Sequence, residues 1–174
     1  MLNLNSRIFE PRDGKQDPYV KFFTKTWAGG GVFGSIVLYN NSIDVNKVGN
    51  YLSQSVLDLV MNTVEEDRIK LLEYIINELV NQYKTIHSSE NVNNDENNLR
   101  ISILLFIDDN VYVGLKGKSG CYVERNGKIL NFSSLIEENS LKVVSGKLQS
   151  KDYYLLSPLS DLPTDKIFED SLER

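Results

Sequence analysis

The feature that most restricts this chain's fold is a short, nearly unbroken apolar run, Ile101-Ser102-Ile103-Leu104-Leu105-Phe106-Ile107. It falls well short of the ~18 apolar residues that a membrane span needs. Its lack of polar alternation gives it no face suited to water. It therefore predicts a central strand in a sheet covered on both sides. Two helical stripes in the middle of the chain can supply one of those covers. Asp44 is a plausible N-cap, and Val45, Val48, Leu52, Val56, Leu59 and Val60 recur at spacings of three or four. A second helix is predicted to open at Thr63-Val64-Glu65-Glu66, the pattern of a reciprocal capping box. Its stripe runs Ile69, Leu72, Ile76, Leu79, Val80, Tyr83, Ile86. The short join makes the two helices antiparallel neighbours.

Strand signals flank the helices on both sides. Tyr19 to Trp27 is rich in aromatic and β-branched residues, and Ala28-Gly29-Gly30-Gly31 separates it from a second run, Val32 to Tyr39. After the apolar run, Asp108-Asp109-Asn110 turns into Val111-Tyr112-Val113-Gly114-Leu115. Asn126-Gly127 joins two further runs, and both residue types tolerate positive φ, a strong hairpin signal. Leu141 to Val144 and Asp152 to Leu156 complete the set. Strands, two helices, then strands predict an α+β fold with helices stacked on a mainly antiparallel sheet or sandwich. At 174 residues the chain suits a single domain, 1–174. The polar stretch 88–99, with five of the chain's 18 asparagines, is expected to be a flexible loop within that domain.

Charge and cysteine content narrow the function. A net charge of −5 argues against nucleic-acid and anionic-membrane binding, which need a basic surface. The start of the chain lacks the charged-then-apolar layout of a signal peptide, so the cytoplasm is the expected location. With one cysteine, Cys121, and one histidine, His87, neither an internal disulfide nor a His/Cys metal cage can form. Cys121 lies in a strand and is read as a small core residue. His87 closes the second helix, where a solvated role beside the helix carbonyls suffices.

Two phosphate motifs are present only as letters. Gly29-Gly30-Gly31-Val32-Phe33-Gly34 matches G-x-G-x-x-G, but a strand follows where the dinucleotide fingerprint needs a helix. Gly117-Lys118-Ser119 would end a P-loop, but Tyr112 stands where that loop's first glycine belongs. No G-x-S-x-G elbow presents a nucleophilic serine.

Several segments, in order, resemble the metal-dependent type 2C serine/threonine phosphatases. Ile103 to Ser119 resembles that family's central hairpin, which ends in Gly-Asp-Ser. Cys121 to Lys128 is similar to its next hairpin, and Lys151-Asp152-Tyr153-Tyr154-Leu155-Leu156-Ser157 to its late strand before Ser-Asp-Gly. Val48-Gly49 and the surrounding helix stand where a helix follows the family's Asp-Gly motif. The likeness spans residues 12–168 and implies an α-β-β-α sandwich.

The resemblance also implies a chemistry that this sequence lacks. In the family, carboxylates hold two Mg²⁺ or Mn²⁺ ions whose bridging water attacks the phosphoryl group. Hard cations of this kind need oxygen ligands. Here the early motif reads Arg12-Asp13-Gly14-Lys15-Gln16-Asp17, so Arg12 would match a phosphate-binding arginine and Asp17 a metal ligand. Asp-Gly becomes Tyr39-Asn40 or Asn40-Asn41, Gly-Asp-Ser becomes Gly117-Lys118-Ser119, and Ser-Asp-Gly becomes Ser157-Pro158-Leu159 with Asp161 close by. The family's closing Asp-Asn strand has no counterpart, which leaves a sheet edge expected to be open to pairing. The expectation is a catalytically inactive phosphatase-like domain that binds a protein partner or regulates one. It would hold no metal or other cofactor, and Arg12 and Lys118 would be its candidate phosphate-binding residues. One alternative is an active, divergent Mn/Mg-dependent phosphatase using Asp17, Asp161 and either Asp44 or Asp108. Another is an unrelated α+β interaction domain.

Overall fold

The computed structural model describes residues 18–39, 44–89, 98–135, 137 and 140–157. Arg12, Asp17, Asp161 and most of the asparagine-rich stretch lie outside them. Strands β1 (Tyr19–Trp27) and β2 (Gly30–Leu38) form a hairpin with Trp27 opposite Gly30. Gly29 takes φ +83° at its turn, so the glycine run serves a bend and no nucleotide loop. Two helices follow, α1 (Val45–Asn62) and α2 (Arg68–Ser89). The chain then returns as β3 (Leu99–Ile107) and β4 (Asn110–Lys116). Next come β5 (Gly120–Arg125), β6 (Lys128–Asn131), a 3-10 turn (Phe132–Leu135), β7 (Leu141–Lys147) and β8 (Tyr153–Ser157).

The strands make two antiparallel sheets, β1-β2-β3-β4-β7 and β6-β5-β8. The apolar run is the middle strand of the larger sheet, and its two faces serve two cores. Ile101, Ile103 and Leu105 join Val32, Ile36 and the helices, while Leu104 and Phe106 meet Cys121 and the smaller sheet. The layers are thus helices, five-stranded sheet and three-stranded sheet. Among the described residues no helix lies outside the smaller sheet, so they supply the α-β-β part of the expected sandwich. No helix among the described residues is long and apolar enough to cross a membrane.

The helices pack as their stripes require. Val48, Leu52 and Val56 of α1 and Leu72, Ile76, Leu79 and Tyr83 of α2 are buried against the sheet. Gly114 lets α2 approach, since a Cβ there would lie 2.8 Å from Ile76 Cδ1. The start of α2 differs from expectation. Thr63 closes α1 through its N–H to Leu59 O, and Asp67 caps α2, its Oδ1 accepting from the N–H groups of Ile69 (3.0 Å) and Lys70 (3.3 Å). The chain needs residues 63–67 to reverse, and an aspartate is a strong cap. Of the expected loop 88–99, residues 88 and 89 belong to α2 and Leu99 to β3, while 90–97 lie outside the described residues.

Candidate functional site

Antiparallel register brings several chain ends to one end of the sandwich. β1 starts and β2 stops there (Tyr19 opposite Leu38), and β3 starts beside them (Leu99 opposite Leu38). β4 stops at Lys116 opposite Ile101, while β5 starts and β8 stops with Gly120 opposite Ser157. The layer between the sheets turns polar towards this end. Ser35 and Ser102 face each other across β2 and β3, both fully buried. Two residues further along, on the same face, stands Arg100.

Arg100 organises this end of the sandwich. Its guanidinium carbon lies 4.4 Å from the centre of the Tyr39 ring, a cation–π contact, and its Nη1 donates to Lys118 O at 3.0 Å. Burial raises the Tyr39 hydroxyl pKa, and the nearby Arg100 charge offsets part of that rise. Gly117 makes the turn into Lys118 at φ +69°, where a Cβ would press on Arg100 Cγ at 3.2 Å. Ser119 seals the turn from below: its N–H donates to Gly117 O at 2.8 Å and its buried hydroxyl to Ile101 O at 3.1 Å. Lys118 is exposed at the tip. The loop thus carries a backbone carbonyl clamped by an arginine and an ammonium at the position the resemblance assigns to an acid.

These residues do not fit a two-metal centre. Hard divalent ions require several oxygen ligands, and cations beside them oppose binding. No group of three or more Asp, Glu, His or Cys able to hold a metal occurs among the described residues. Of the alternative ligands, Asp44 is engaged as the cap of α1, accepting from Lys47 N–H at 3.1 Å. Asp108 sits in the β3–β4 turn, just past Ile107. The whole of β3, about 26 Å at ~3.3 Å per step, separates it from the Arg100 end, so it cannot join a cluster there. Arg12, Asp17 and Asp161 lie outside the described residues, so of the two phosphate-binding candidates Lys118 is the one that the structure describes. Sequence reasoning missed Arg100; its signal was a lone charge beside the start of the apolar run.

The other reactive side chains are structural. Cys121 is fully buried, and burial pushes its thiol pKa well up. His87 is not solvated as expected: it is 1% exposed and packs on the Tyr83 ring with centroids 4.2 Å apart. Like Tyr83 one turn earlier, the histidine is on the buried face of α2.

No family model and no curated protein sequence matches the chain. Solved structures do. The catalytic domain of the serine/threonine phosphatase PstP, with two manganese ions, superposes at a TM-score of 0.60 and 13% identity, over 87% of this chain and 82% of that one. Stp1 from Staphylococcus aureus gives 0.55 at 13% identity over 85% and 79%. RsbX in complex with magnesium gives 0.53 at 15% over 88% and 78%. The chain has the fold of the type 2C serine/threonine phosphatases, as the sequence resemblance implies.

Proposed function

We propose that this chain uses the type 2C phosphatase fold as a catalytically silent module that binds or regulates a partner protein in the cytoplasm. The observation that carries this reading is the Arg100–Lys118 contact at the end where the strand termini gather. A phosphatase of this kind needs carboxylates to hold its ions, and a guanidinium and an ammonium work against them. Lys118 and Arg12 are the candidates for holding a phosphorylated segment, since charge-assisted bonds to phosphate favour such cations.

The test is calorimetric titration of the full chain with MnCl₂ and MgCl₂, run beside hydrolysis of p-nitrophenyl phosphate and a phosphoserine peptide. The expected outcome is no saturable heat, no rise in melting temperature with metal, and no turnover above the blank. A ligand that binds the folded state must stabilise it, so the melting curve is an independent readout. Micromolar Mn²⁺ affinity accompanied by turnover would overturn the proposal in favour of an active, divergent phosphatase.

A further inference from the structure

Away from the Arg100 end, a cavity of about 230 Å³ lies between the two sheets, lined in part by residues of β6 and β7. Val111, Val113 and Val144 of the larger sheet line it, with Val123 and Leu130 of the smaller sheet and Phe132 of the 3-10 turn. Both flanking strands are terminal in their sheets among the described residues. An open strand edge presents unpaired backbone donors and acceptors to another chain.

The chemistry around the cavity defines what would fit. Gly146, within β7, lines the cavity, and a Cβ added there would meet nothing within 4 Å. Its φ is not among the positive ones, so backbone conformation does not require glycine at this position. A glycine inside a strand marks a bulge, a tight bend or a place where another backbone or ligand comes close, and the open space over Gly146 fits the last of these. Arg125 also lines the cavity. Its Nε donates to Asp152 Oδ1 at 2.8 Å and its Nη2 to Asp152 Oδ2 and Lys147 O, which leaves Nη1 without a bond among the described residues. Because Asp152 already balances the guanidinium charge, Nη1 suits a neutral acceptor such as a peptide carbonyl.

The charged residues of the two flanking strands, β6 and β7, are all lysines. Lys128 pairs with Arg125 across β5 and β6, so it shares the cavity side with Leu130. Lys142 falls on the same row of β7 as Val144 and Gly146. Lys147 and Lys151 flank them. This cationic edge stands on a chain whose net charge is −5.

We propose that β7 accepts an extended acidic segment of a partner protein as an added strand, with one apolar side chain of that segment filling the cavity over Gly146. Backbone pairing supplies affinity in this mode, and the pocket under alternate residues supplies selectivity. The proposal rests on the binding-module reading but not on the loss of catalysis. Metal titration addresses catalysis, and peptide titration addresses this edge.

The probe is a short fluorescein-labelled peptide with a central leucine among glutamates and aspartates, titrated with the full chain by anisotropy. The control peptide carries lysines in place of the acids. Saturable binding of the acidic peptide alone is expected. Gly146→Leu, which fills the cavity from within, should leave the melting temperature unchanged or raised and weaken binding by about tenfold or more. The surface pair Lys128→Glu and Lys142→Glu should weaken it about fivefold while the chain stays folded. Amide exchange along β7 should slow when the peptide is bound. The proposal falls if no binding saturates by about 1 mM peptide, a limit near −4 kcal/mol. It also falls if Gly146→Leu binds as well as the parent, or if the control peptide binds equally. Protection of β7 without peptide, in a chain that sediments as a dimer, would assign the edge to a second copy and overturn it too.

Discussion

At the scale of single residues, environment decides chemistry more than residue type does. Cys121 combines full burial with a raised pKa, and both keep its sulfur protonated and out of reach. A thiol reagent should therefore leave the native chain unmodified at neutral pH and modify one thiol per chain in denaturant; labelling of the native chain at the denatured rate would disprove this. Cys121 was legible in the sequence because its neighbours already defined a strand. His87 was not. Its place at a helix end is local information, whereas its contact with Tyr83 and its burial depend on which face of α2 meets the sheet. Arg100 shows the same limit, since its partners Tyr39 and Lys118 are distant in sequence and meet only through strand register.

At the scale of elements, the turns were the most legible parts. Asn126 and Gly127 take φ +53° and +72°, the two positive values that a tight hairpin demands, and Glu124 Oε1 accepts the Gly127 N–H at 2.7 Å. The boundary between the helices was less so, because two acceptable cap patterns lie within five residues and the geometry of the reversal selects one. Asp67→Ala removes the cap actually used and should cost about 1 kcal/mol, lowering the melting temperature by roughly 3 °C for a chain of this size. Thr63→Ala, which keeps the backbone bond to Leu59 O, should stay within about 0.5 kcal/mol. Thermal melts of the two variants distinguish the caps, and the reverse ranking would restore the capping box.

At the scale of the molecule, a polar clamp joins the two sheets beside the apolar layer. Arg125 of the smaller sheet holds Asp152 and also the Lys147 carbonyl of the larger sheet, while the Tyr154 hydroxyl donates to Asp152 Oδ2 at 3.3 Å. Burial raises the Asp152 pKa, but bonds from Arg125, the Gln149 N–H and Tyr154 outweigh it, and the net value is lowered. Burial and the adjacent Asp152 charge push the Tyr154 pKa up to about 12 from 10.0. The lowered carboxyl adds stability that is present above the usual carboxylate range and is lost as pH falls through its native value. The raised phenol adds stability present below pH 10.0 and lost as pH climbs towards about 12. Urea midpoints measured across pH should decline on both sides, and Tyr154→Phe should flatten the alkaline limb; an unchanged limb would separate Tyr154 from the clamp. By itself, the sequence determined the elements, the two-sided central strand and the layered α+β class, because periodicity and turn chemistry act over a few residues. Only the tertiary structure decided that Arg100 clamps the Lys118 loop, that Asp108 stands a strand's length away, and that Gly146 borders an open cavity. Those facts depend on register and on the packing of one sheet against another, which bring together residues that no local pattern connects.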